Sequence, residues 1–238
     1  MRSELPISDY INDTKSVIEQ IPRLLAAMER LALEERSSEG SFDLYCCFSI
    51  VRQVINSRNM IGSDPLSQLA GMNNTLKKKI NSQGVRNLRQ LVQRTKEGSS
   101  KGVPAKLAAT IKKLPFFSLH KVSIKFEMDK TTNHSQGRLS FDLKLEAGTG
   151  TRKRQTDGGN THSFTVVVGT KENNLLLDQK SVIMSIPHHQ KSTQRTLTMT
   201  FDWGLANSNG GKDSGHVLLR VLSTDRRGLD VQLEVKLS

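Results

Sequence analysis

The hydrophobic period of this chain changes once, at Leu114-Pro115. Before that dipeptide, apolar residues recur every three or four positions; after it they alternate. The first spacing lines one stripe of an α-helix and the second lines one face of a β-strand, so a helical part must be followed by an all-β part. At 238 residues the chain is long enough for two or three small cores. Helices then strands, unmixed, predicts an α+β multi-domain architecture.

In the helical part, Val17, Ile21, Leu24, Met28 and Leu31 are spaced four, three, four and three, which predicts an amphipathic helix over 8–35 with that stripe turned inward. Pro22 lies inside it, removing one backbone donor, so a kink or an early stop is expected there. Residues 42–55 read as a second helix, apolar nearly all round and therefore central, with the adjacent Cys46 and Cys47 buried in it. Pro65 opens a short turn that Gly71 closes. Three short helices are expected over 73–81, 85–96 and 104–113, separated by Gly84 and by the segment 98–102; such short pieces must pack as a cluster.

Beyond Pro115 the alternating runs predict strands over 119–128, 139–147, 164–168, 175–177, 182–186, 197–201, 217–222 and 229–237. Seven or eight short strands with no helix among them are the pattern of an immunoglobulin- or fibronectin-like sandwich. Residues 148–162 and 207–215 read as loops. The expected division is 1–71 as a helical bundle, 72–114 as a basic helix-loop-helix and 115–238 as the sandwich.

Charge is as unevenly spread as hydrophobicity. Of a formal net charge of +12, the stretch from Lys77 to Lys113 holds eleven Lys and Arg residues against one acid, Glu97. A basic seam between two helical and β layers predicts a polyanion-facing surface, nucleic acid being the commonest such partner; a solvated face that keeps the protein soluble is the alternative. Lys77, Lys78, Lys79, Arg86, Arg89, Arg94 and Lys96 are the expected contacts. Arg86 and Arg89 fall three apart, after the Gly84 hairpin, on a helix whose first turn is expected to offer free N–H groups to a phosphate. This resembles a helix-hairpin-helix element. With no exposed aromatic cluster to stack bases, such contact would be blind to sequence.

Catalytic chemistry finds no foothold. Gly210-Gly211-Lys212-Asp213-Ser214 lacks the first glycine and the Lys-[Ser/Thr] order of a phosphate-binding loop, and no G-x-S-x-G elbow occurs. His188 and His189 are neighbours that point apart on an extended chain, with His162 and His216 not placed to complete a metal site. Arg152-Lys153-Arg154 is short for a nuclear import signal or an anion contact. Two adjacent cysteines fit neither a zinc site nor an ordinary disulfide framework, which favours a reducing compartment. No run approaches the ~18 apolar residues of a membrane span, and no export signal is visible, so no membrane role is expected.

A further set of residues carries a family likeness: Asp9-Tyr10, Asp13-Thr14-Lys15, the run from Gln20 through Ile21-Pro22-Arg23-Leu24-Leu25-Ala26-Ala27 to Met28, Pro65-Leu66-Ser67-Gln68-Leu69, Leu114-Pro115, Ser223-Thr224-Asp225 and Gly228-Leu229-Asp230. In order and spacing they resemble the C-terminal "Sec sixty-three"-type domain of Ski-two-like DExH nucleic-acid helicases, nearest the signal-cointegrator, spliceosomal and meiotic branches. A tryptophan common after the second helix is replaced by Ser57-Arg58-Asn59, and none follows Gly40, so bundle packing is expected to differ.

The resemblance implies that the first helix is a ratchet helix lying along a threaded single strand, with Ser16, Gln20 and Arg23 on its strand-facing side. It implies an accessory, non-catalytic domain that contacts single-stranded RNA or DNA, docks on helicase motor domains and meets other proteins through the β-sandwich. ATP and Mg would belong to motor domains whose motifs this sequence lacks, leaving this chain without a cofactor. A nuclear location is expected, with the cytoplasm as alternative. The competing expectation is a protein-interaction scaffold of the translocation-machinery type, with no nucleic-acid role.

Overall fold

The structure, a computed structural model, describes residues 8–36, 38–56, 64–98, 102–128, 135–148, 160–187, 190–203, 215–224 and 228–236. The Arg152-Lys153-Arg154 cluster, His188, His189 and the 210–214 segment lie outside them. Two long helices come first, α1 (Ser8–Glu34) and α2 (Ser41–Asn56). A 3₁₀ turn (Pro65–Gln68) and three short helices follow: α3 (Asn74–Ser82), α4 (Leu88–Lys96) and α5 (Ala105–Lys112). The strands are β1 (Phe116–Met128), β2 (Ser135–Glu146), β3 (Asn160–Thr170), β4 (Leu176–Ile186), β5 (Ser192–Asp202), β6 (His216–Ser223) and β7 (Val231–Lys236). The change of element falls where the period changes: Leu114 is buried and β1 begins two residues later.

All strand pairs are antiparallel. They form a three-stranded sheet in the order β1-β2-β5 and a four-stranded sheet in the order β4-β3-β6-β7. On β2, Leu139, Phe141, Leu143 and Leu145 share one face and enter a common core with Phe164, Val166 and Val168 of β3. The Phe117 and Phe164 rings, 4.8 Å apart between centroids, join the two sheets through that core. The stretches expected at 175–177 and 182–186 are one continuous strand, β4, because Asp178, Gln179 and Lys180 are polar positions of a half-exposed strand rather than turn residues.

Residues 164–170 of β3, a central strand of the four-stranded sheet, are buried on both faces, which explains why it reads Phe-Thr-Val-Val-Val rather than alternating. Phe164, Val166 and Val168 meet the other sheet, while Val167, with Leu176 and Leu222, packs against Ala32, Phe42, Tyr45 and Cys46 of the helix pair. Gly169 permits the approach: a Cβ there would sit 2.3 Å from Phe42 Cδ2 and 2.6 Å from Leu175 O. The helix pair is therefore a layer lying on the sheet. The shorter helices join the core between the sheets through Ile80, Val85, Leu88, Leu91, Val92, Leu107 and Ile111.

Three expectations about the helices are corrected. α1 does not stop at Pro22 but continues to Glu34. Its buried positions are Leu25, Glu29 and Ala32, whereas Val17, Leu24 and Leu31 are 62%, 61% and 58% exposed, because only the flank carrying Leu25 meets α2. α2 is buried on one side only: Leu44, Cys47 and Val51 face outward, so Cys46 is buried and Cys47 is not.

Candidate nucleic-acid interface

α1 is fixed on α2 by a polar seam. The Glu29 carboxylate, buried, accepts from Ser49 Oγ at 3.0 Å and pairs with Arg52 Nη1 at 3.0 Å. Burial pushes the Glu29 carboxyl above its usual range, against the pull of Arg52 and the Ser49 hydroxyl. Tyr45 Oη donates to Gln179 Oε1 of β4, and its phenol is pushed up to about 12, chiefly by burial. With that side of α1 held, the opposite side is presented outward. Ser16, Gln20 and Arg23 are all exposed there, spaced four and three along one line of the helix. Arg30, also exposed, continues the line one heptad beyond Arg23; the i,i+7 spacing was the signal that sequence reasoning passed over.

The basic seam divides into two groups. Lys78, Lys79 and Arg86 are exposed and make no ion pair among the described residues. The other four expected contacts are engaged within the fold. Lys77 lies 3.6 Å from Asp64 Oδ2. Lys96 pairs with Glu146 Oε2 at 2.9 Å and sits 4.6 Å above the Phe116 ring. Its hydrogen bond is the main reason Glu146 is held below the usual carboxylate range. Arg94 Nη1 donates to Gln83 O at 2.7 Å, clasping the hairpin at Gly84, whose φ of +79° suits glycine.

Arg89 is the clearest departure from the expected strip. Its guanidinium donates through Nη1 to Phe117 O at 2.8 Å and to Leu229 O at 3.4 Å, with the Phe116 ring 4.5 Å away. Burial lowers its pKa, while nearby Asp230 raises it. The backbone around it is engaged too: Arg89 N donates to Gly228 O at 2.8 Å, Asn87 Oδ1 caps Gln90 N at 2.9 Å, and Arg86 N donates to Gln90 Oε1. Residue 86 precedes α4 rather than lying on it, so Arg86 and Arg89 do not straddle one helical face, and the first turn of α4 has no free donors for a phosphate at these positions. Within the seam's own sequence the one acid is Glu97. Asp64 and Glu146 arrive through space, one from before the seam and one from β2.

Of the expected contacts, those that remain outward and, among the described residues, outside ion pairs are the line on α1 and three cations around the α3–α4 hairpin. Among the described residues, no group of three His, Cys, Asp or Glu side chains is placed to hold a metal, and no helix is long and apolar enough to cross a membrane.

The Sec63 Brl domain family model matches residues 1–222, nearly the whole chain. The chain belongs to that family. The match agrees with the resemblance read from the residues between Asp9 and Pro115, the motifs at 223–225 and 228–230 lying beyond the matched span, and it makes this an accessory, non-motor domain of the kind found in helicase-like or translocation proteins. No curated protein matches the chain.

Proposed function

We propose that this Sec63 Brl domain is the non-catalytic accessory domain of a DExH-type helicase, guiding a single strand of nucleic acid along α1 while the helix layer docks on motor domains. The observation that carries the reading is the outward line of Ser16, Gln20, Arg23 and Arg30 on a helix anchored by its opposite side. Polar and cationic groups spaced along a helix suit a sugar-phosphate backbone, and no base readout is required of them. Lys78, Lys79 and Arg86 supply further charge.

Beside that line runs the exposed apolar line of Val17, Leu24 and Leu31, with Leu44 and Val51 exposed on α2. Large apolar groups at heptad spacing on a packed helix pair mark a protein contact, and motor domains are the occupant this family reading assigns. We read the seven strands as an immunoglobulin- or fibronectin-like sandwich, on the strength of the orders β1-β2-β5 and β4-β3-β6-β7, with its edges available to other proteins. ATP and Mg would act in the motor domains alone, and the nucleus is the compartment where we place the protein.

The test is a fluorescence-anisotropy titration of the chain with a labelled single-stranded oligonucleotide at low salt. Binding is expected to weaken with Arg23→Glu and with Lys78→Glu plus Lys79→Glu, and to survive the uncharged pair Leu24→Gln plus Leu31→Gln, which should instead weaken association with a motor-domain fragment. Absence of any oligonucleotide affinity would favour the second reading, a protein-interaction scaffold of the translocation-machinery type. That reading is supported by the pairing of Lys77 and Lys96 with carboxylates and by the same apolar helix face.

A further inference from the structure

The outer face of the three-stranded sheet carries a feature that neither strand guidance nor motor docking uses. Ser123, Lys125, Glu127, Arg138, Ser140 and Thr198 line a depression of about 330 Å³. Register fixes its order: Ser140 of β2 lies between Ser123 of β1 and Thr198 of β5 in one row across the sheet, and in the next row Lys125 stands directly opposite Arg138. Two like charges directly opposite each other destabilise an antiparallel pair. Neither cation makes an ion pair among the described residues. Elsewhere on this face cations have carboxylate partners: Asp142 lies beside Lys121 and accepts from Thr196 and Gln194, and Glu146 lies between Lys96 and Lys144. Two cations without an ion pair among the described residues, with three hydroxyls in the next row, form a cradle for an oxyanion. The row beyond them, Glu127, Gln136 and Asp202, supplies acceptors.

We propose that this depression binds a sugar phosphate, its phosphate held by Lys125 and Arg138 with the serine and threonine hydroxyls, and its sugar hydroxyls donating to Glu127. The site is separate from α1, and the inference does not rest on the strand-contact reading. The ligand chemistry can come from a free sugar phosphate or from one unit of a nucleic-acid strand.

Both are tested on the full chain by following backbone amide resonances while adding ribose 5-phosphate, inorganic phosphate or a single-stranded oligonucleotide, each against sodium chloride of equal ionic strength. Saturable shifts confined to the neighbourhood of 123–127, 138–140 and 198 are expected with ribose 5-phosphate, and weaker ones with phosphate alone. Affinity should fall about tenfold or more in Lys125→Gln plus Arg138→Gln. Shifts of the same resonances by the oligonucleotide would identify a strand as the source, and their restriction to the small molecules a free ligand. The Arg23→Glu variant should leave the shifts caused by ribose 5-phosphate and by phosphate unchanged. Because the cation pair opposes folding when empty, Arg138→Gln alone should keep or raise the thermal midpoint in phosphate-free buffer. Responses no larger than those to sodium chloride, or responses that persist in the double variant, would overturn the proposal.

Discussion

Arg86 and Arg89 are three residues apart and both basic, yet they have different physical lives. Arg86 projects into solvent, so Arg86→Ala should change stability by no more than about 0.5 kcal/mol. Arg89 ties α4 to the start of β1 and to Leu229 through two carbonyls. Truncating it leaves both acceptors short of a donor, so Arg89→Ala should cost about 2–3 kcal/mol in urea unfolding. Arg89→Lys should recover only part, since an ammonium lacks the planar fork. Lys96 makes a related point through pH. Glu146 is held below its usual range chiefly by the Lys96 hydrogen bond. A carboxyl lowered on folding contributes stability that is present above its unfolded pKa and lost as pH falls through the folded value. Lys96→Met should therefore raise the Glu146 titration measured by NMR, and the stability gap between variant and wild type should close in acid. The same variant should scarcely change oligonucleotide affinity, because its ammonium is already engaged.

At the scale of elements, the layer contact between α2 and the four-stranded sheet depends on Gly169, where the Phe42 ring occupies the space of a side chain. Gly169→Ala should destabilise by about 1–3 kcal/mol, with the first exchange-protection losses in α1 and α2 if the layer lifts from the sheet. The elements themselves were legible in the sequence wherever a period ran long enough. The helical stripe of α1, the alternation in β2 and β5 and the switch at Leu114-Pro115 all declare their secondary structure. Orientation was less legible. The stripe Val17, Leu24, Leu31 reads as core because apolar residues generally seek burial, but a two-helix layer covers only one flank of each helix, and the uncovered flank keeps its apolar residues. Of the candidate site, the choice of Ser16, Gln20 and Arg23 rests on the family resemblance, and what their spacing along one helix made legible is that they share one side of α1, where all three are exposed. The site was illegible where it depends on tertiary partners: nothing near Lys96 in sequence announces Glu146, and nothing near Arg89 announces the carbonyls of Phe117 and Leu229.

For the whole molecule, the folding of the seam sets how salt should act on binding. Each phosphate neutralised on a single strand contributes about 0.7 log units of affinity per log unit of salt. If all seven expected seam cations met a strand together with Arg23, the slope would approach about 5–6. The structure leaves Lys78, Lys79 and Arg86 exposed and without ion pairs beside Arg23 and Arg30, since Lys77, Arg89, Arg94 and Lys96 are already engaged. A slope of about 3.5 or less is therefore expected when anisotropy is measured across a salt series. Each charge-removing substitution among these five should lower it by about 0.7, while Lys96→Met should leave it unchanged. A measured slope near that of all eight cations would mean that strand binding breaks the Lys77–Asp64 and Lys96–Glu146 pairs. Asp64→Asn and Glu146→Gln would then tighten binding by removing the competitor, whereas on the structure as it stands they should have little effect.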